Sequence, residues 1–394
     1  MPLATLRPLL LSALLVWAGG VTTVRAAPVD EIRALLASAL VDPPDEQALA
    51  RLAGLDATGR APAVQAGAPD AFDAALRAID RHARYFAADA YRSPLLGAAE
   101  SSGIGARLLT QGDAVLLDVY QGGPADRAGI PDGARLLEVD GRALGGRAVQ
   151  EVAVLLRGEV DSRVRIAFVD GDGRRRTVTL ERARFTPLEV ELVEAGVLPV
   201  LRIRDFVGSI TRTAALATVA HLGRGRSEGA PPALVIDLRA APGGDLYEAF
   251  DLAAAFLPQG ALLGTLRSRS APPREVRAPG GPKLDMPLAL LIGPDTASAA
   301  EVFAGTLQAH GRAVLIGGHS FGKCSSQTDA RLSDGSVLRF TNLEVLLPDG
   351  QSCSGRGLSP DVEVDATTLV RLPDLLRLAR VRLGTEGPRP AGGG

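Results

Sequence analysis

Cysteine is scarce in this chain. Cys324 and Cys353 are all that 394 residues contain. Neither Cys-x-x-Cys nor His-Glu-x-x-His occurs, and none of His82, His221, His310 and His319 has a partner at ligand spacing, so no metal site is indicated. Aromatics make up 4% of residues, too few for a base-stacking surface. The net charge of −2 comes without a basic block, which removes electrostatic support for nucleic-acid binding. Phosphate-cradling patterns (Gly-x-x-x-x-Gly-Lys-Ser/Thr, Gly-x-Gly-x-x-Gly) and a Gly-x-Ser-x-Gly elbow are missing too, and no cofactor is implied. The apolar run Leu9–Val21, about thirteen residues, falls short of the ~20 needed to span a bilayer.

What is present is an ordinary globular composition, 46% apolar and 22% charged, long enough for two or three domains. Arg7 followed by Leu9–Val21 and the small-x-small site Val24-Arg25-Ala26 makes residues 1–26 an export signal, with Ala27 as the new first residue. The expected location is the periplasm or another exported compartment, with no stable membrane span after cleavage. There, two cysteines can form one bridge or remain two buried thiols. Helical spacing over Val29–Leu40, Glu46–Leu55 and Asp70–Phe86 makes residues 27–95 a small helical region, an element for packing or for a homodimer. Asp30 and Asp45 are its candidate caps. Ala57–Pro69 is a Gly/Ala/Pro linker, and residues 385–394 form a Pro/Gly-rich frayed tail.

Residues 96–183 switch to short strands and turns. Gly103-Ile104-Gly105 precedes a strand, Pro124-Ala125-Asp126-Arg127-Ala128-Gly129 follows, and Leu136-Leu137-Glu138-Val139-Asp140-Gly141 ends in a turn. A helix over Ala148–Arg157 and strands at Val164–Val169 and Arg176–Glu181 complete the unit. This order resembles the PDZ family. The resemblance implies a module that adds a ligand strand to its edge and holds a terminal carboxylate on the amides of the Gly103–Gly105 loop.

Residues 184–384 alternate strands and helices, so the whole is of mixed α/β class, a PDZ module joined to an α/β core. Ala233–Leu238 and Leu288–Ile292 are apolar throughout, as strands buried on both faces must be. The first runs into Gly243-Gly244, whose amides can serve as oxyanion donors at the carboxyl edge of the sheet, or simply form a tight turn. The second leads into Thr296-Ala297-Ser298-Ala299-Ala300-Glu301. Ser298 there is either a helix N-cap or a nucleophile, with the Ala299 amide as a second oxyanion donor. Phe321-Gly322-Lys323 places a lysine outside any charged stretch, the surrounding in which burial can lower its pKa enough to accept a serine proton. Gln327 stands four residues on, where strand alternation puts it on the face of Lys323 and lets its amide hold the amine. Ile210–Leu222 reads as a helix with Ser209 as its candidate cap, Arg267–Pro282 as an exposed excursion, and Ala330–Val345 as a hairpin turning at Asp334-Gly335.

Taken in order, Gly103–Leu108, Gly123–Asp140, Asp237–Gly244, Thr296–Glu301, Phe321–Gln327 and Gly355–Val362 resemble the carboxyl-terminal processing, or tail-specific, proteases. The resemblance spans roughly residues 75–365. It implies Ser298 as nucleophile, Lys323 as general base, Gln327 as the residue orienting the lysine, and amides of Gly244 (or Gly243) and Ala299 as the oxyanion hole. It also implies that Arg157 helps couple peptide binding to activation. The chain departs from the family where Cys324 follows the lysine in place of glycine, where Ala240-Ala241 replaces Asn-Asn, and at Gly350-Gln351-Ser352-Cys353-Ser354-Gly355, similar to the family's Gly-Arg-Ser-Ile-Gln-Gly. Two departures are cysteines in segments that neighbour each other in such a core, so a Cys324–Cys353 disulfide bracing the lysine is expected. The reading is an exported Ser/Lys endopeptidase acting on proteins or peptides with a free C-terminus. Its competitors are a catalytically silent PDZ adaptor and a small-molecule amidase.

Overall fold

The structure is a computed structural model, and the residues described are 28–53, 71–88, 101–194, 198–224, 233–281 and 284–385. The expected export signal, the Ala57–Pro69 linker and the tail beyond residue 385 lie outside them. Among the described residues no helix is long and apolar enough to cross a membrane.

Strands Ala106–Gln111, Ala114–Val119, Ala134–Val139, Arg163–Val169 and Arg175–Glu181 form an antiparallel sheet in that spatial order. Its inward side chains, among them Leu117, Ile166 and Phe168, are fully buried. They are closed off by the helix Val149–Leu156, which turns Val152 and Leu156, one helical turn apart, into the same core. A groove runs between this helix and the strand Ala106–Gln111.

The second core is built on a six-stranded sheet ordered Val190–Glu194, Pro199–Ile203, Leu234–Asp237, Leu288–Ile292, Val314–Gly317, Val362–Glu363. The first pair is antiparallel and the rest are parallel. Strand alternation explains why Leu288–Ile292 is apolar throughout. Leu288, Leu290 and Ile292 face helices Leu246–Ala254 and Ala299–Ala309, while Ala289 and Leu291 face helix Leu372–Arg382. A further sheet is centred on Val337–Leu346, flanked by Ser325–Arg331, Leu262–Arg267 and Arg84–Phe86.

Five local expectations need correction. The third N-terminal helix stops at Ile79, and Arg84–Phe86 is a strand paired with Val337–Arg339. Ile32, Leu36, Leu52 and Leu76 share one cluster with Leu332, Leu338 and Phe340, so the described N-terminal segments pack on the sheet centred on Val337–Leu346. Asp30 lies inside the helix Pro28–Ala39 beside Arg33, whereas Asp45 does accept the amides of Gln47 and Ala48. The helix Ile210–Arg224 is capped from outside: Glu248 of a neighbouring helix accepts the amides of Ser209 and Arg212. Arg267–Pro282 contains the edge strand Arg274–Arg277, a hairpin partner of Leu262–Arg267 rather than a free excursion.

A buried charge cluster joins the two cores. Arg204, with no exposed surface, donates from Nε to Asp118 (2.9 Å) and from Nη2 to the Val119 carbonyl (2.9 Å). It also contacts Glu191 and stacks 4.5 Å over the Tyr120 ring. Arg202 reaches Asp132 (2.8 Å) and Asp237 (3.3 Å). Burial pushes Asp237 up, but the Arg239 and Arg202 guanidiniums win and hold its carboxyl well below the usual range.

Candidate active site

Ser298 sits at the junction between Leu288–Ile292 and the helix Ala299–Ala309, at φ 56° and ψ −122°. A serine there is strained, by roughly 1–3 kcal/mol. The surrounding bonds hold it. The Thr296 hydroxyl donates to the Leu238 carbonyl (2.8 Å) and accepts from the Gly293 amide (2.9 Å), and the Ala297 amide donates to the Ala241 carbonyl (2.9 Å). That last contact uses backbone atoms at Ala241 and asks nothing of the side chain there.

The Gly243-Gly244 turn lies directly against the serine. Both residues have positive φ, 122° and 116°. A Cβ on Gly243 would come 2.7 Å from the Ser298 Cβ and 3.0 Å from the Ala299 nitrogen, and one on Gly244 would come 2.3 Å from the Phe206 carbonyl. Only glycine lets the chain pass so close. The turn is pinned by the Phe206 amide on the Gly243 carbonyl (2.7 Å) and the Asp245 amide on the Phe206 carbonyl (2.6 Å). The amides of Gly243, Gly244 and Ala299 donate to no acceptor among the described residues.

Lys323 is brought to the same place by one side chain that sequence reasoning missed. Glu301 is completely buried. Its Oε2 accepts the amides of both Ser298 (3.0 Å) and Lys323 (2.7 Å). Its Oε1 accepts the Gly322 amide (2.8 Å) and the Ser320 hydroxyl (2.5 Å). The Phe321 amide, donating to the Thr296 carbonyl (2.9 Å), closes the lysine loop onto the serine loop. The signal was available: a glutamate three residues after a helix-start serine is half of a capping box. The half-buried Lys323 amine is lowered from the ordinary lysine range by burial and then by Arg339, against opposition from Asp80 and Glu301.

Gln327 is opposite Thr341 in the strand pair, and the alternation argument that linked it to Lys323 does not hold. Lys323 precedes the strand Ser325–Arg331, and a register shift falls between Ser326 and Gln327, so simple i, i+4 alternation does not apply. The carboxamide Nε2 donates to Ser325 Oγ (3.2 Å) and Thr341 Oγ1 (3.3 Å). Cys324 and Cys353 are joined, with Cα atoms 5.2 Å apart and both residues fully buried, immediately beside Lys323.

Gly103, Ile104, Gly105 and Arg157 gather elsewhere, around the groove of the first core. Gly105, at φ 66°, packs against Pro124, where a Cβ would sit 2.6 Å from the ring. Arg157 is exposed at the end of the helix Val149–Leu156. Sequence reasoning also passed over Arg107, which lines this groove yet donates to the carbonyls of Arg204 and Ala240 (2.8 Å each) in the second core.

The fold and this junction define a PDZ module carried on an α/β core with a serine and a lysine tied to one carboxylate. Comparisons with known proteins agree on the two modules. The model of peptidase family S41 matches residues 200–364, and a PDZ domain model matches residues 115–170. A Staphylococcus aureus (strain COL) protein named "Probable CtpA-like serine protease" is 30% identical over 268 residues, covering 67% of this chain and 52% of that protein. The chain spans about half the length of the curated relatives it matches. The solved photosystem II D1 C-terminal processing protease is 26% identical with a TM-score of 0.58, over 89% of this chain and 96% of that one. An S41-assigned structure from Bacteroides fragilis NCTC 9343, 16% identical with a TM-score of 0.59, covers 94% and 100% and adds likeness of fold alone. The chain belongs to the C-terminal processing protease family, peptidase family S41.

Proposed function

We propose that this protein is an exported serine endopeptidase that uses Ser298 and Lys323 as its catalytic pair and cleaves proteins whose free C-terminus its PDZ module has captured. One observation carries the reading: a single oxygen of the buried Glu301 receives the amides of both residues, so nucleophile and base share one anchor. The neutral Lys323 amine takes the Ser298 hydroxyl proton as Oγ attacks the peptide carbonyl. The oxyanion faces the amides of Gly243 or Gly244 and Ala299, each donor supplying ~2.7–4 kcal/mol to the transition state. Lys323 returns the proton to the leaving amine, and the C–N bond breaks to give an acyl-enzyme. Water, deprotonated by the same amine, releases the acyl group.

Capture of the substrate tail is supported by the groove at Gly103–Gly105, open to an added strand along Ala106–Gln111. Export is supported by the apolar run Leu9–Val21 and by a cysteine pair joined as a disulfide, a bond that persists in oxidising compartments. The test uses an unfolded protein with a free C-terminus. Wild type cleaves it and is labelled at Ser298 by a fluorophosphonate, while Ser298→Ala binds a C-terminal peptide without cleaving. An unlabelled wild type that still grips the peptide would leave a binding adaptor in place of an enzyme.

A further inference from the structure

The geometry assigns Asp80, from the N-terminal segment, as a positioning residue: acting through the Thr341 hydroxyl, it dictates which end of the Gln327 carboxamide faces the catalytic lysine. This rests on the Ser298–Lys323 reading above, with Gln327 as the residue that orients the lysine, and deepens it.

Asp80 is buried in the turn that ends the helix Ala71–Ile79. Its Oδ2 accepts the Thr341 amide (2.6 Å), and its Oδ1 accepts the His82 amide (2.9 Å) and the Thr341 hydroxyl (3.1 Å). A carboxylate accepts and does not donate, so the Thr341 hydroxyl proton is committed to it. The Thr341 oxygen is then left as an acceptor, and the group it faces on Gln327 must be the carboxamide nitrogen, 3.3 Å away. The Ser325 hydroxyl faces the same nitrogen. With both contacts on Nε2, the carboxamide oxygen is the end left for the lysine.

That polarity decides whether the base works. A neutral amine has two N–H donors and one lone pair. Facing the carboxamide oxygen, it donates one N–H and keeps the lone pair for the serine proton. Facing a carboxamide NH2, it spends the lone pair on that donor. Next to Asp80, Arg81 donates to the Gly322 carbonyl (2.9 Å), so two adjacent residues brace both the lysine loop and the strand paired with that of Gln327.

The charged groups around the Lys323 amine are Arg339, which lowers its pKa, and Asp80 and Glu301, which raise it. His82 also couples to Lys323; burial first, and then Lys323 itself, lower its pKa to about 4. It is therefore uncharged across the range used below.

The experiment measures fluorophosphonate labelling of Ser298 in the full chain from pH 6 to 10, with peptide affinity and thermal midpoint recorded for each variant. Thr341→Val removes the relay hydroxyl without changing charge. Labelling should fall at least tenfold, a part of the ~10²–10⁴-fold that a general base contributes, with peptide affinity unchanged, and Thr341→Ser should restore it. Asp80→Asn presents a donor where only acceptance is tolerated. It should lose activity similarly, and its residual pH limb should move to lower pH because an anion near the amine is gone. The proposal is overturned if Thr341→Val labels at the wild-type rate, or if losses merely track the folded fraction and Thr341→Ser does not rescue. Lys323→Ala is the separate control: full labelling in that variant sinks the Ser/Lys pair itself, whatever the relay variants do.

Discussion

Replacing Glu301 by glutamine changes almost no volume but reverses one end of a group that only accepts. Four donors converge on the carboxylate, the amides of Ser298, Gly322 and Lys323 and the Ser320 hydroxyl. If the new nitrogen takes the Oε2 position, the Ser298 and Lys323 amides both meet a donor. If it takes Oε1, the Gly322 amide does, while the Ser320 hydroxyl must turn although its oxygen already accepts from the Leu358 amide (2.7 Å). The second arrangement costs less. It leaves one buried amide unsatisfied, about 1–3 kcal/mol, and removes charge assistance from two more bonds, about 1 kcal/mol each. The total is ~3–5 kcal/mol, or a fall in Tm of roughly 6–20 °C at the slope typical of domains this size. Because the lost bonds hold the lysine loop, fluorophosphonate labelling per folded molecule should fall as well. Glu301→Asp should not rescue either effect, since the shorter side chain cannot reach both loops. A Glu301→Gln protein with Tm within about 2 °C of wild type and unchanged labelling would show that the shared anchor is irrelevant.

Two further outcomes follow from the same geometry. Lys323 must be uncharged to act as base, and burial followed by Arg339 lowers its pKa, so the neutral fraction and kcat/KM should rise with pH through a midpoint below the ~10.4 of free lysine; a flat profile from about pH 5 to 9 refutes this. The Cys324–Cys353 bridge closes a separation of 29 residues and should contribute ~3–4 kcal/mol in the chain-entropy model. A double Cys→Ser variant should therefore lose stability and labelling together, and peptide mapping that finds both thiols free in oxidised protein removes the basis for it.

Much of the architecture was legible because it depends on local pattern. Strands buried on both faces, such as Leu288–Ile292, cannot be other than apolar, and Gly243 and Gly244 mark a place where the backbone must approach something closely. Errors gathered where distant residues override local preference. Asp70–Phe86 has helical spacing, but the chain leaves the helix at Asp80, whose carboxylate is taken by the amides of His82 and Thr341. Ser209 looks like a cap, yet Glu248 from another helix supplies the acceptors. Alternation from Lys323 points to Gln327, but Lys323 precedes the strand and a register shift falls before Gln327, so the strand pairing does not support that argument.

The order of motifs along the chain was sufficient to determine the family, the pairing of a PDZ module with an α/β core, and the candidate nucleophile and base. Each of these rests on residue type at a short spacing, which local chemistry constrains. Only the tertiary structure decided how serine and lysine are held together, because that depends on one buried carboxylate receiving amides from two loops. It also decided that Asp80 and Arg81 reach the lysine side of the site, 241 residues separating Arg81 from the Gly322 carbonyl it holds. A contact across that distance leaves no periodicity in the chain. It exists because the first helices find their hydrophobic partner in the sheet that carries Thr341.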